Sequence, residues 1–123
     1  DCLYPKGDLQ IVSLIRVVDS LGPMTDFEGL VIKAKRTDAY LGISHAESLV
    51  GAVPGTSKFF EGKVLIFPGT IMTLMENGRR KQYVPVAFLD HSRWEICPEP
   101  IDTVWNEKAH KNWYLVQVTQ KRP

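Results

Sequence analysis

An Asn77-Gly78 dipeptide between two apolar-rich runs, residues 70–76 and 79–88, constrains this chain most tightly. Both residues readily adopt positive φ, which a type I′ turn needs at its two central positions. The backbone twist of that turn matches the twist of paired strands, so the flanking runs are predicted to form a β-hairpin. Arg79, Arg80 and Lys81 follow directly, placing a basic cluster at the tip with Glu76 across the turn. Pro85 cannot donate to a ladder, which predicts an edge position or a bulge for the second strand.

The remaining punctuation suggests more short elements. Residues 9–18 are rich in Leu, Ile and Val and bounded by turn residues, and read as a buried strand. Residues 24–26 read as loop and 27–35 as a second strand, with Leu30 and Ile32 on one face and Val31 and Lys33 on the other. A turn at 36–38 and a short strand at 39–43 follow. Ser44 with Glu47 three residues later matches a capping box, predicting a helix from His45 to about Gly51, with Leu49 and Val50 buried. Residues 58–67, 93–97 and 113–120 read as strands. Asp102 or Thr103 would cap a short helix over 105–110. The expected fold is mainly β: a small antiparallel barrel or sandwich with one or two short helices.

A chain of 123 residues favours one domain, 1–123, able to bury a core without staples, though it begins with Asp1 and is compatible with excision from a longer chain. No apolar run approaches the roughly 18 residues that span a bilayer, so no membrane association is expected. The two cysteines, Cys2 and Cys97, are too few for a disulfide scaffold: they would form one bridge in a secreted chain or remain reduced thiols in a cytosolic one, and the reduced reading suits a cytoplasmic or nuclear protein slightly better than a secreted one. Net charge is only +1, but residues 1–30 hold five acids and two bases, so the remainder is +4. Lys33-Ala-Lys35-Arg36 and Arg79-Arg80-Lys81 are its dense spots, and such clusters steer anionic partners.

Familiar catalytic and metal patterns fail. His45-Ala-Glu47 opens like a zinc deaminase site, but the Pro-Cys-x-x-Cys pair is missing. Asp90-His91-Ser92 holds three triad residue types, yet neighbours on an extended chain point apart and no Gly-x-Ser-x-Gly elbow exists. There is no P-loop, Gly-x-Gly-x-x-Gly or Cys/His metal spacing. Glu28-Gly-Leu-Val-Ile-Lys33 resembles a nucleotidyltransferase motif of DNA ligases and capping enzymes, without that family's Lys-x-Asp-Gly nucleophile. The chain therefore reads as a non-catalytic module with no cofactor.

Aromatic and basic residues interleave in the last third: Arg93, Trp94, Trp105, Lys108, His110, Lys111, Trp113 and Tyr114. Rings beside cations suit base stacking and phosphate pairing. The segment from Trp105 to Trp113 resembles the cap-binding loop of the eukaryotic cap-binding initiation factors. That resemblance implies Trp105 as a stacking ring, Glu107 as acceptor of guanine N–H groups, and Lys108 or Lys111 on phosphate. The leading expectation is a binding module for RNA or another nucleic acid, extending to a guanine nucleotide or cap-like end. Its site would be Arg79, Arg80, Lys81, Tyr83, Trp94, Trp105, Glu107, Lys108 and Lys111. The alternatives are a protein-interaction module or processed secreted effector using an edge strand or hairpin, and a structural domain of a larger viral or cellular enzyme.

Overall fold

The structure, a computed structural model, describes residues 9–18 and 24–120. Its elements in chain order are β1 (Leu9–Arg16), β2 (Met24–Thr25), α1 (Phe27–Arg36), α2 (Ile43–Ala52), β3 (Val64–Ile66), β4 (Met72–Glu76), β5 (Arg79–Asp90), β6 (Arg93–Pro100), β7 (Trp105–Asn106), α3 (Glu107–His110) and β8 (Trp113–Gln120). The mainly-β expectation holds, but the sheet is open and mixed rather than a closed antiparallel barrel. β1 pairs antiparallel with β8, β8 runs parallel to β3, and β5 pairs antiparallel with β3, β4 and β6. A separate two-stranded ladder joins β2 to β7.

Both faces of the main sheet are buried, and alternation along its strands explains how. Val84, Val86, Ile66 and Leu115 point into one core, shared with Val17, Leu30 and Ala34 and with Trp105. Ala87, Leu65, Phe67 and Val116 point into the other, shared with Ala46 and Leu49 and with Phe60. One sheet therefore lies between α1 on one face and α2 on the other, in place of the expected barrel or sandwich. Each fully buried Leu or Phe adds about 1.5–3 kcal/mol through water exclusion.

α1 corrects the expectation of a strand at 27–35. Asp26 caps it, its Oδ1 accepting from the Gly29 N–H at 2.9 Å. Glu28 lies in the first turn and Lys33, Lys35 and Arg36 in the last, each complementing the helix dipole. Leu30 and Ala34, four residues apart, form the buried stripe. The Glu28–Lys33 segment is therefore helical, not the strand that the apolar pattern of 27–35 predicted.

α2 exists as expected but starts two residues earlier, with Gly42 as N-cap and Ser44 inside its first turn. His45 takes the third helical position and its Nδ1 accepts from the Gly42 N–H at 3.3 Å. The Ile43 N–H is satisfied by Thr70 Oγ1 at 2.9 Å. No strand forms at 39–43, and of 58–67 only Val64–Ile66 is strand. α3 is a single turn capped by Asn106, whose Oδ1 accepts from the Ala109 N–H at 2.8 Å, not by Asp102 or Thr103.

Pro85 lies at neither a sheet edge nor a bulge within β5, which is the central strand. The Phe67 N–H donates to the Pro85 carbonyl at 3.0 Å, so the missing N–H faces the place where the chain leaves β3. Residues 68–71 loop out there before β4 begins, and Pro98 stands opposite on β6. The proline thus falls where no ladder bond is forfeited.

Two substitutions separate close packing from open space. A Cβ on Gly55 would lie 1.9 Å from the Ser92 carbonyl oxygen, whereas one on Gly51 meets nothing within 4 Å. Gly55→Ala is expected to lower stability by about 1–3 kcal/mol through forced backbone movement. Gly51→Ala, in a helix, should be neutral or raise it by up to about 1 kcal/mol. Chemical denaturation of the two variants checks the contrast.

His45 is 3% exposed, and burial holds its pKa below the ordinary value of 6.5. The neutral ring is favoured on folding, so its contribution is complete above 6.5 and is lost as pH falls toward the depressed folded value. Melting temperature should decline over that window in the wild type. The slope should flatten in His45→Gln, whose amide carbonyl can accept from Gly42.

Candidate functional site

The Asn77-Gly78 hairpin is present as predicted, with φ of 52° and 76° at its two central residues. Glu76 pairs with Arg79, Met75 with Arg80, Leu74 with Lys81, Thr73 with Gln82 and Met72 with Tyr83. β6 pairs with β5 only from Tyr83 onward, so the tip runs past the end of β6 as a two-stranded ribbon. Of residues 73–82 only Glu76 is less than exposed. Neither helical layer covers the tip, and both of its faces meet solvent.

Arg79 and Arg80 are exposed and form no ion pair with any described residue. Lys81 Nζ stands 3.5 Å from Glu76 Oε1, on the same face of the ribbon. The Tyr83 hydroxyl donates to Glu76 Oε2 at 2.5 Å. That bond is the main cause lowering the Glu76 pKa, and the same bond raises that of Tyr83 above its ordinary 10.0. Tyr83 is itself 8% exposed, so it braces the base of the ribbon instead of offering a ring.

Sequence reasoning missed the apolar side of this ribbon. Leu74 is 42% exposed, Met75 65% and Ile71 46%. β4 pairs with β5 alone among the described residues, leaving its other edge open. A two-residue turn makes Glu76 and Arg79 a hydrogen-bonded pair, so alternate residues Leu74 and Met72 also bond to β5. Thr73 and Met75 consequently turn their N–H and C=O groups outward. The signal was present in the alternation of 72–76, whose apolar residues fall on both faces.

The aromatic platforms do not form one. Trp105 is 0% exposed in the core beneath α1, with its Nε1 lacking a hydrogen-bond partner among the described residues, so it presents no face for stacking. Trp94 is half-buried: its Nε1 donates to the Val53 carbonyl at 2.8 Å and its ring packs edge-on against Phe60. It fastens the 53–63 loop to β6. Glu107 Oε2 is buried without a partner among the described residues, while Lys108, within α3, and Lys111, just after it, are exposed. Trp113 is half-buried against His110. The structure brings Arg79, Arg80, Lys81 and Tyr83 together on the ribbon. It leaves Trp94, Trp105, Glu107, Lys108 and Lys111 on other elements.

Asp90 and His91 do meet, His91 Nδ1 lying 2.9 Å from Asp90 Oδ1, because His91 is in a tight turn and not on extended chain. Cys97 is half-buried and in no disulfide, and Cys2 lies outside the described residues. Among the described residues no group of three His, Cys, Asp or Glu could hold a metal, and no helix is long and apolar enough to cross a membrane. Comparison with protein-family models, curated proteins and solved structures found no match to this chain.

The Glu76–Tyr83 bond is testable in solution. Tyrosinate absorbance should show Tyr83 titrating above 10.0. Glu76→Gln removes the charge behind that shift, so the same tyrosine should titrate nearer its ordinary value.

Proposed function

We propose that this chain is a non-catalytic protein-interaction module in which the β4–β5 ribbon receives an extended, acidic segment of a partner protein. The observation that carries the reading is the open edge of β4, flanked by exposed Leu74 and Met75 and by the unpaired Arg79 and Arg80. Outward N–H and C=O groups of Thr73 and Met75 can extend the ladder by one strand, apolar side chains can be covered, and arginines can pair with carboxylates. An RNA backbone would use only the last of these three features. Burial of Trp105 also removes the ring on which base recognition relied.

The nucleic-acid reading keeps one support, the exposed Arg79-Arg80-Lys81 cluster, and the same experiment separates the two. Displayed ten-residue peptides are selected on the whole chain, and matched single-stranded and duplex RNA is titrated at low salt. Selected peptides are expected to alternate apolar and acidic residues and to lose at least about tenfold in affinity, roughly 1.4 kcal/mol, on Thr73→Pro. That proline removes an outward donor and spares the bonds to β5. Arg79→Ser with Arg80→Ser should weaken them similarly. RNA binding that collapses with salt and ignores Thr73→Pro would replace the protein reading with the nucleic-acid one. Failure to select peptides and to bind RNA would end both.

A further inference from the structure

At the far end of β5 from the ribbon, a second hairpin turn breaks the rule that the first obeys. His91 and Ser92 join β5 to β6 with φ of 53° and 64°. Asn77-Gly78 fills the equivalent positive-φ pair with residues that tolerate it; His91 adopts it more readily than most side chains, but Ser92 stands where the first turn has glycine and does so under strain. Both residues are exposed, so no core packing demands these side chains. Strain kept at an exposed position that a common substitution would relieve points to side-chain chemistry at that position.

The turn also forms one wall of a cleft of about 420 Å³, whose other wall is the loop after α2. Gly55 lies so close under the Ser92 carbonyl that the two walls are held in register. Trp94 fixes the same loop through the Val53 carbonyl. The polar lining is Thr56, Ser57, Lys58, Glu61, His91 and Ser92, with Leu89 as an apolar patch. Lys58 supplies donors only, Glu61 acceptors only, the hydroxyls either, and His91, whose Nδ1 faces Asp90, its Nε2. An oxyanion would leave Glu61 facing like charge, whereas a ligand bearing several hydroxyls satisfies both it and Lys58.

We infer that this cleft binds a small neutral polyhydroxylated ligand of the monosaccharide class, held between the 55–61 loop and the His91-Ser92 turn. It is independent of the ribbon's function. The test is amide NMR of the whole chain titrated with D-glucose, D-galactose and D-mannose, with inorganic phosphate as a separate arm. At least one hexose is expected to shift resonances of residues 55–61, 91 and 92 selectively. Glu61→Gln should weaken that response at least tenfold. His91→Asn with Ser92→Gly should raise the melting temperature while weakening the response at least tenfold. The inference is overturned if no hexose acts, or if phosphate binds in preference. It also fails if the double variant keeps its affinity or gains no thermal stability.

Discussion

Everything in this fold depends on β5 being buried on both faces. Its even-numbered residues Val84 and Val86 belong to the core under α1, and Ala87 belongs to the core under α2. A strand with two dry faces must have its backbone satisfied along both edges, because an unpaired buried amide costs about 1–3 kcal/mol. β3 and β4 on one stretch or another, and β6 along Tyr83–Asp90, supply those partners. Pro85 survives there only because its missing donor coincides with the break between β3 and β4. Where the helical layers stop, β5 goes on, and its first residues have no core to enter. The exposed ribbon is thus the continuation of the most buried strand, rigid at its root for that reason.

The same two-sided burial accounts for what the sequence disclosed and what it hid. Turn chemistry is local, so Asn77-Gly78 announced its hairpin, register included. Of the apolar run 9–18, Leu9–Arg16 is strand as read, but its buried residues Val17 and Val18 lie just beyond the strand, while Ser13 to Ile15 are half-buried and Arg16 is exposed. Residues 27–35 did not read correctly, because Leu30-Val31-Ile32 is a short apolar run that periodicity alone cannot assign. The deciding marks lay outside the run: Asp26 as cap, Glu28 early, and Lys33, Lys35 and Arg36 late. Once α1 is a helix, the sheet has a cover on that face and no reason to close into a barrel. The capping box at Ser44 was displaced for a related reason. Thr70, distant in sequence, satisfies Ile43, and His45 serves Gly42, so the helix could begin earlier than any local pattern required.

Site residues divided along the same line. Arg79, Arg80 and Lys81 were legible because their exposure follows from a two-residue turn. Trp105 and Trp94 were not, since nothing in a local window distinguishes a core indole from a surface one. Trp105 pairs with Thr25 in the β2–β7 ladder and fills the core beside Leu30, contacts fixed by segments far apart in sequence. The Glu76–Tyr83 bond runs diagonally along one face of the ribbon, from the Glu76–Arg79 pair to the Met72–Tyr83 pair with Leu74 and Lys81 between them, a contact that no local window displays.

An open edge strand with exposed Leu74 and Met75 is a hazard as well as an opportunity, because it templates pairing with any extended chain, including another copy of itself. Charge on the neighbouring strand is the usual protection. Arg79 and Arg80 approach any second ribbon with like charge, and within the ribbon only Glu76 offers an acid, already engaged by Tyr83 and Lys81. Two ribbons brought edge to edge would therefore oppose four arginines with no free carboxylate between them. An acidic chain meets no such barrier and gains the pairing, the apolar contact and the charge together. On the interaction reading proposed above, the arginines that oppose self-pairing are the same ones that favour a chain of opposite sign.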